Sequence, residues 1–194
     1  MKQLTFSLLL LAGAIFTSLW SHNYLRNFSE YRPLIPDIIH NQLPSIPDFG
    51  YLADLIVIFD LIILGFLFNQ NKEKIPYYLS LIASIYFVRA ILITLNPVGD
   101  SFINSGYYGL FPGSDLSQGM FPSGHTAIAF LVFLLTEKKS AFKLSSLILL
   151  ILEIFALLIS KGHYSIDIVG GILLTYTLYR IFEDRKNYFT KKQY

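Results

Sequence analysis

Six stretches of this chain are long runs of apolar residues: Leu4–Trp20, Tyr51–Phe68, Ile75–Leu95, Pro122–Leu135, Leu144–Ile159 and Ile166–Phe182. A helix rising about 1.5 Å per residue needs roughly 20 mostly apolar residues to cross a hydrocarbon core about 30 Å thick. The fourth stretch is short for that task; the others come close to it. Only 14% of the residues are charged and mean hydropathy is +0.53, whereas a soluble domain carries about 25% charge. The expected fold class is therefore all-α, a polytopic membrane protein built as a six-transmembrane-helix bundle, with residues 1–194 forming a single membrane domain. Lys2 followed by an apolar run resembles a signal peptide. The run is long, however, and Ser18-Leu19-Trp20-Ser21 offers no small-x-small cleavage site, so a retained helix is expected. A net charge of +2 argues against a nucleic-acid partner, and the absence of cysteine excludes disulfides, thiolate catalysis and cysteine–zinc sites.

The connections orient the bundle. Lys2, Lys72 and Lys74, Lys138 and Lys139, Lys143 and the basic tail of residues 183–194 fall on one side of a six-span chain. The positive-inside rule then places both termini in the cytoplasm. The Ser21–Gly50 and Asn96–Met120 loops face outward, the first with a short interfacial helix expected around Ile38–Leu43. Trp20, Tyr51, Tyr77, Tyr78 and Tyr179 near span ends read as interfacial anchors.

Ionisable residues inside such a chain are costly and mark a site or a buried partner. His163 and Asp167 are four apart, one helical face, so the carboxylate can hold one imidazole nitrogen and leave the other as a basic lone pair. Taken alone, a pair that merely satisfies itself at a helix end is the commoner case. His125 shifts the balance. It follows Pro122-Ser123-Gly124 where a loop enters a helix, with Pro122 expected at the first helical position, and a helix start favours an anion. Arg89 lies six residues, about 9 Å, from the outer end of its span, and Lys161 sits just above His163. Residues from three spans thus share one depth. Two basic side chains, a helix N-terminus and two histidines suit a phosphate, with a histidine as nucleophile and another as proton donor to the leaving oxygen. That scheme requires no metal and no cofactor. Asp60 and Glu153 fall near the midplane, where internal pairing, including Asp54 or Asp60 with Arg89, or a protonated state is the plainer expectation. His22 and His40 read as ordinary surface residues of a polar loop.

Pro122-Ser123-Gly124-His125, followed by His163-Tyr164-Ser165-Ile166-Asp167 with 38 positions between the two histidines, resembles the paired signatures of the type 2 phosphatidic acid phosphatase superfamily. Ser160 through Ile168, Arg89 through Pro97 and Pro33-Leu34-Ile35-Pro36-Asp37 are similar to motifs of its sphingomyelin-synthase-like branch, over residues of about 33–176. The resemblance implies a phosphohistidine on His163, with Asp167 orienting it and His125 as general acid. It implies Ser123 and Gly124 as phosphate contacts and Arg89 and Lys161 as the cations holding the phosphate. The substrate would be a lipid phosphate or phospholipid, hydrolysed or relieved of its head group in favour of a ceramide- or diacylglycerol-like acceptor. The chain departs from the pattern at Ala90, where a proline would follow the arginine, and at Ala156-Leu157, where the superfamily has Ser-Arg.

Two other classes compete. A transporter or ion pathway would use Asp60, Arg89 and Glu153, against which stands the lack of an internal repeat. An intramembrane serine protease would use Ser123 with a histidine. The leading expectation is a metal-independent lipid phosphatase or phosphotransferase of the plasma membrane, with its site near the outer leaflet.

Overall fold

The computed structural model describes residues 2–27, 32–99, 101, 110, 120–137 and 140–185. Lys138, Lys139, the tail beyond Arg185 and most of the loop between 99 and 120 lie outside the described residues, and with them part of the charge pattern used for orientation. The described residues form helices α1 (Lys2–Arg26), α2 (Ile38–Gln42), α3 (Phe49–Gln70), α4 (Ile75–Leu95), α5 (Gly124–Leu135), α6 (Ala141–Ile159) and α7 (Ser165–Asp184), with a single 3₁₀ turn at Lys72–Lys74 leading into α4. The short α2 falls where an interfacial helix was expected.

Five helices, α1, α3, α4, α6 and α7, are long and apolar enough to cross a membrane. Their outward faces carry large apolar side chains, with Leu9 68% and Phe16 70% exposed, a surface suited to lipid tails rather than water. α5 differs from expectation. Its 12 residues rise only about 18 Å. It begins at Gly124, because Ser123 takes the N-cap position and its hydroxyl accepts the Thr126 N–H at 3.2 Å. Pro122, expected as the first helical residue, stays outside the helix in a cis linkage to Phe121.

Hydroxyls and small residues join α1 to α4. Ser7, Ala14 and Ser21 recur every seven positions and are buried, which lets the two backbones approach. Ser7 bonds Ser80 at 2.8 Å near one end, and Ser21 bonds Thr94 at 2.8 Å near the other, so the helices run parallel and in register. Around them α3, α5 and α7 run the opposite way, since the starts of α3, α5 and α7 meet the ends of α4 and α6. Ile63, Leu64 and Leu67 of α3, Leu81 and Ile85 of α4, and Ile128, Leu131 and Val132 of α5 close the core between them.

The start of α5 is pressed onto α7. A Cβ at Gly171 would stand 2.7 Å from the Ser123 carbonyl oxygen, and one at Gly170 would stand 2.4 Å from the Phe121 ring. The Ser123 N–H donates to the Asp167 carbonyl at 2.9 Å across the same contact. Gly171→Ala meets backbone, which cannot swing aside. It is expected to destabilise the protein by about 1–3 kcal/mol, read as a lowered thermal midpoint in detergent. Gly170→Ala, which meets a ring, is expected to cost less.

Candidate active site

All of the histidines gather at one end of the bundle. His163 precedes α7 instead of lying on it, so its contact with Asp167 comes from the turn entering the helix and not from helical spacing. His163 Nδ1 lies 3.3 Å from Asp167 Oδ2, which also accepts the Tyr164 N–H at 3.0 Å. Asp167 is fully buried, and its Oδ1 has no hydrogen-bond partner among the described residues. With Nδ1 donating to the carboxylate, the Nε2 of a neutral imidazole carries the lone pair. Burial holds His163 below the ordinary histidine range; the bond to Asp167 and its charge pull the other way, and His125 and Arg89 add to the lowering. The ring is accordingly neutral at pH 7, as a nucleophile requires.

His125 enters from the first turn of α5, its ring centroid 6.1 Å from that of His163 and tilted by 64°. Its Nε2 lies 2.9 Å from Asp54 Oδ1. Asp54, fully buried near the start of α3, therefore pairs with His125, where sequence reasoning offered it to Arg89. Its Oδ2 accepts the Leu110 N–H at 2.5 Å. The site thus contains two histidine–aspartate pairs facing one another, and the second was missed. The available signal was depth: Asp54 and His125 each lie within a turn or two of their helix starts.

Arg89 is buried and donates from Nε to the Pro122 carbonyl at 2.8 Å. A Cβ on Gly124 would stand 3.1 Å from the Arg89 Nε, a tight contact that the glycine relieves where the planar cation packs on the start of α5. Ser123, by contrast, is fully buried, and its hydroxyl is occupied by the Thr126 N–H and hydroxyl.

Lys161 is bonded to the segment that carries α2. Its Nζ donates to the Leu43 carbonyl at 3.0 Å and to the His40 carbonyl. It holds a left-handed backbone at φ 60°, a conformation costing roughly 1–2 kcal/mol in a residue with a Cβ. The side chain fastens residues 32–48 as a strap across the α6–α7 turn. Asp37 caps α2 by accepting the Ile39 and His40 N–H groups, and its Oδ2 accepts the Ser165 N–H at 2.6 Å. Burial would raise the Asp37 carboxyl, but the bonds from Ser165 and His40 outweigh it and hold it below its ordinary value. His40 Nε2 bonds the His163 carbonyl at 2.7 Å, and its ring stacks on Tyr164. Burial lowers both His40 and Lys161 from their ordinary ranges. His40 is therefore part of the frame around His163, and His22 lies within α1; neither is the loop surface residue expected.

Asp60 and Glu153 lie fully buried on the packed helices α3 and α6, without hydrogen-bond partners among the described residues, while Arg89 belongs to the histidine cluster. No group of three or more histidine and acidic residues stands in a metal-holding arrangement among the described residues.

Residues 120–184 match the family model described as PAP2 superfamily C-terminal. The match covers about a third of the chain and takes in Ser123, Gly124, His125, Lys161, His163 and Asp167, and it supports kinship with the PAP2 superfamily. Asp54, Arg89 and the strap lie outside it. No curated protein matches the chain.

With His163 as nucleophile, its lowered value would set the pH dependence. Protonation removes its lone pair, so kcat/KM falls as pH drops through the folded-state value, and the acid limb is expected below pH 6.5. Asp167→Asn removes a charge that raises His163, so the limb moves to still lower pH while the rate falls by about 10²–10⁴-fold. A limb that moves to higher pH contradicts the pairing.

Proposed function

We propose that the protein is an integral-membrane lipid phosphatase that cleaves a lipid phosphate ester through a phosphohistidine. The carrying observation is the facing of two histidine–aspartate pairs, one from α3 and α5 and one from the α7 start, at 6.1 Å between rings. A phosphate between them meets a neutral imidazole on one side and a second imidazole on the other. His163 Nε2 forms a bond to phosphorus as the bond to the lipid oxygen breaks, and His125 passes a proton to that departing oxygen. Water then attacks the phosphohistidine with His125 taking its proton, releasing phosphate and restoring both rings. Asp167 orients the nucleophile; Asp54 orients His125 and balances the charge it carries when protonated. Arg89 and the start of α5 face the phosphate oxygens and stabilise charge developing there. Lys161 contributes by holding the strap.

In the same reading α5 completes a sixth passage with the help of its flanking loops. Both termini then lie in the cytoplasm, and the site opens near the outer leaflet of the plasma membrane. Transfer to a ceramide- or diacylglycerol-like hydroxyl in place of water is the finer, sphingomyelin-synthase-like variant of the second step, resting on the motifs around Asp37, Arg89 and His163. It differs only in which oxygen meets the phosphorus.

Purified protein incubated with lipid phosphates and a ceramide-like acceptor separates the two: free phosphate marks hydrolysis, a new head-group lipid marks transfer. His163→Ala is expected to abolish turnover. His125→Asn is expected to lose about 10²–10⁴-fold on alkyl esters and far less on an aryl phosphate, whose leaving group needs no proton. Asp54→Asn is expected to follow the same substrate pattern with a loss of about tenfold. Turnover is expected to persist in excess chelator; its abolition would replace this reading with a metal-dependent one.

Sidedness has its own test. The chain has no cysteine, so single cysteines at the exposed Gln42 and Gln70 report each end of the bundle. A membrane-impermeant thiol reagent applied to intact cells is expected to label Gln42→Cys and spare Gln70→Cys. The reverse pattern places the site in the cytoplasm.

A further inference from the structure

We infer that α1 belongs to the substrate site: His22 is a specificity-determining residue that hydrogen-bonds a second oxygen on the leaving lipid alcohol. The inference rests on the phosphatase reading above for the identity of the leaving group. It starts from a cavity of about 240 Å³ beside the histidine pair. His22 of α1, Arg89 of α4 and His125 of α5 give it a polar part, and Val57 of α3 and Ile128 of α5 give it an apolar one. His163 does not line it. The cavity therefore adjoins the proton donor and not the nucleophile, which is the side on which the leaving alcohol departs.

Its size is that of a small polar fragment. It is open on one side, so the first carbons of a lipid alcohol fit within it and the acyl chains leave through its mouth. Those chains would lie along the apolar flank. His22 stands four residues from the end of α1, about 6 Å below it. Its Nε2 is buried and has no hydrogen-bond partner among the described residues. A buried polar nitrogen without a partner is costly in the resting protein; Nε2 is closed off as the ring stands, and a turn of the ring toward the cavity would bring it to a ligand oxygen and remove that cost. An imidazole nitrogen accepts from a hydroxyl or donates to an ester carbonyl, according to its tautomer. A site built this way rejects an analogue lacking the oxygen more strongly than an apolar pocket rejects a missing methylene.

Three phosphate monoesters of equal chain length provide the test: a diacylglycerol phosphate, a 2-hydroxyalkyl phosphate and a plain alkyl phosphate. His22→Phe keeps a planar ring and removes the nitrogen; His22→Gln returns a polar group at similar reach. In His22→Phe, kcat/KM for at least one oxygen-bearing ester is expected to fall about tenfold relative to the plain alkyl ester, and His22→Gln is expected to recover part of it. The ratio between esters is independent of how much protein is folded, and which of the two oxygen-bearing esters loses more identifies carbonyl or hydroxyl. Unchanged ratios overturn the inference. Equilibrium binding of the three corresponding alcohols needs no turnover: the wild type is expected to prefer an oxygen-bearing alcohol about tenfold and His22→Phe to lose that preference. If the wild type hydrolyses none of the esters, the phosphatase reading fails, and the binding comparison alone decides the role of His22.

Discussion

Asp167 is a carboxylate withdrawn completely from water at the end of an apolar bundle, and the site is organised around compensating it. A buried charge survives only with hydrogen bonds and opposite charge around it. One oxygen takes the Tyr164 N–H and the His163 ring, which fixes the imidazole on the turn before α7. The Asp167 backbone carbonyl takes the Ser123 N–H, which brings in the start of α5 and so His125. Arg89 lies close enough to interact with the Asp167 charge and holds the Pro122 carbonyl from the other side. The interactions made by one buried acid thus bring His163, His125 and Arg89 together at one end of the bundle.

The same economy explains the strap. A turn between two long helices leaves backbone groups unpaired, and residues 159, 163 and 165 at the α6–α7 turn all find partners in residues 37–46. Lys161 completes the arrangement from a backbone conformation glycine would adopt more easily, and the carbonyls it reaches are what the strained position is exchanged for. His163 is consequently held from both sides, by Asp167 through its ring and by His40 through its carbonyl. A side chain held this way has little conformational freedom left to lose when a ligand meets it.

Much of this was legible in the chain. The apolar runs located the helices, since nothing else in a sequence of this hydropathy can satisfy backbone groups in lipid. His125, His163, Asp167 and Arg89 were legible because each is an ionisable group at one depth of an alternating bundle. What failed to read were the contacts between helices. Nothing local marks Asp54 as the partner of His125 rather than of Arg89, because their meeting depends on how α3 packs on α5. Lys161 was read from its adjacency to His163 in sequence as a cation for the phosphate; its contacts to the strap, made from a left-handed backbone, were not legible. Loop-like composition around His22 and His40 concealed one residue that extends α1 and another that frames His163. α5 began two residues later than the proline suggested, since a serine cap outcompetes proline as a helix start when its hydroxyl can reach the third N–H.

Catalysis by the proposed route requires phosphorus to bond to one particular nitrogen. Rapid quenching of the protein with a labelled lipid phosphate under alkaline conditions, which preserve phosphohistidine, followed by mass-spectrometric mapping, addresses that bond directly. The account predicts a single phosphorylated residue, His163, with greater accumulation when His125 is replaced and an aryl ester supplies the phosphate. Label on His125 or Ser123, or turnover with no phosphorylated residue at any time point, would contradict it.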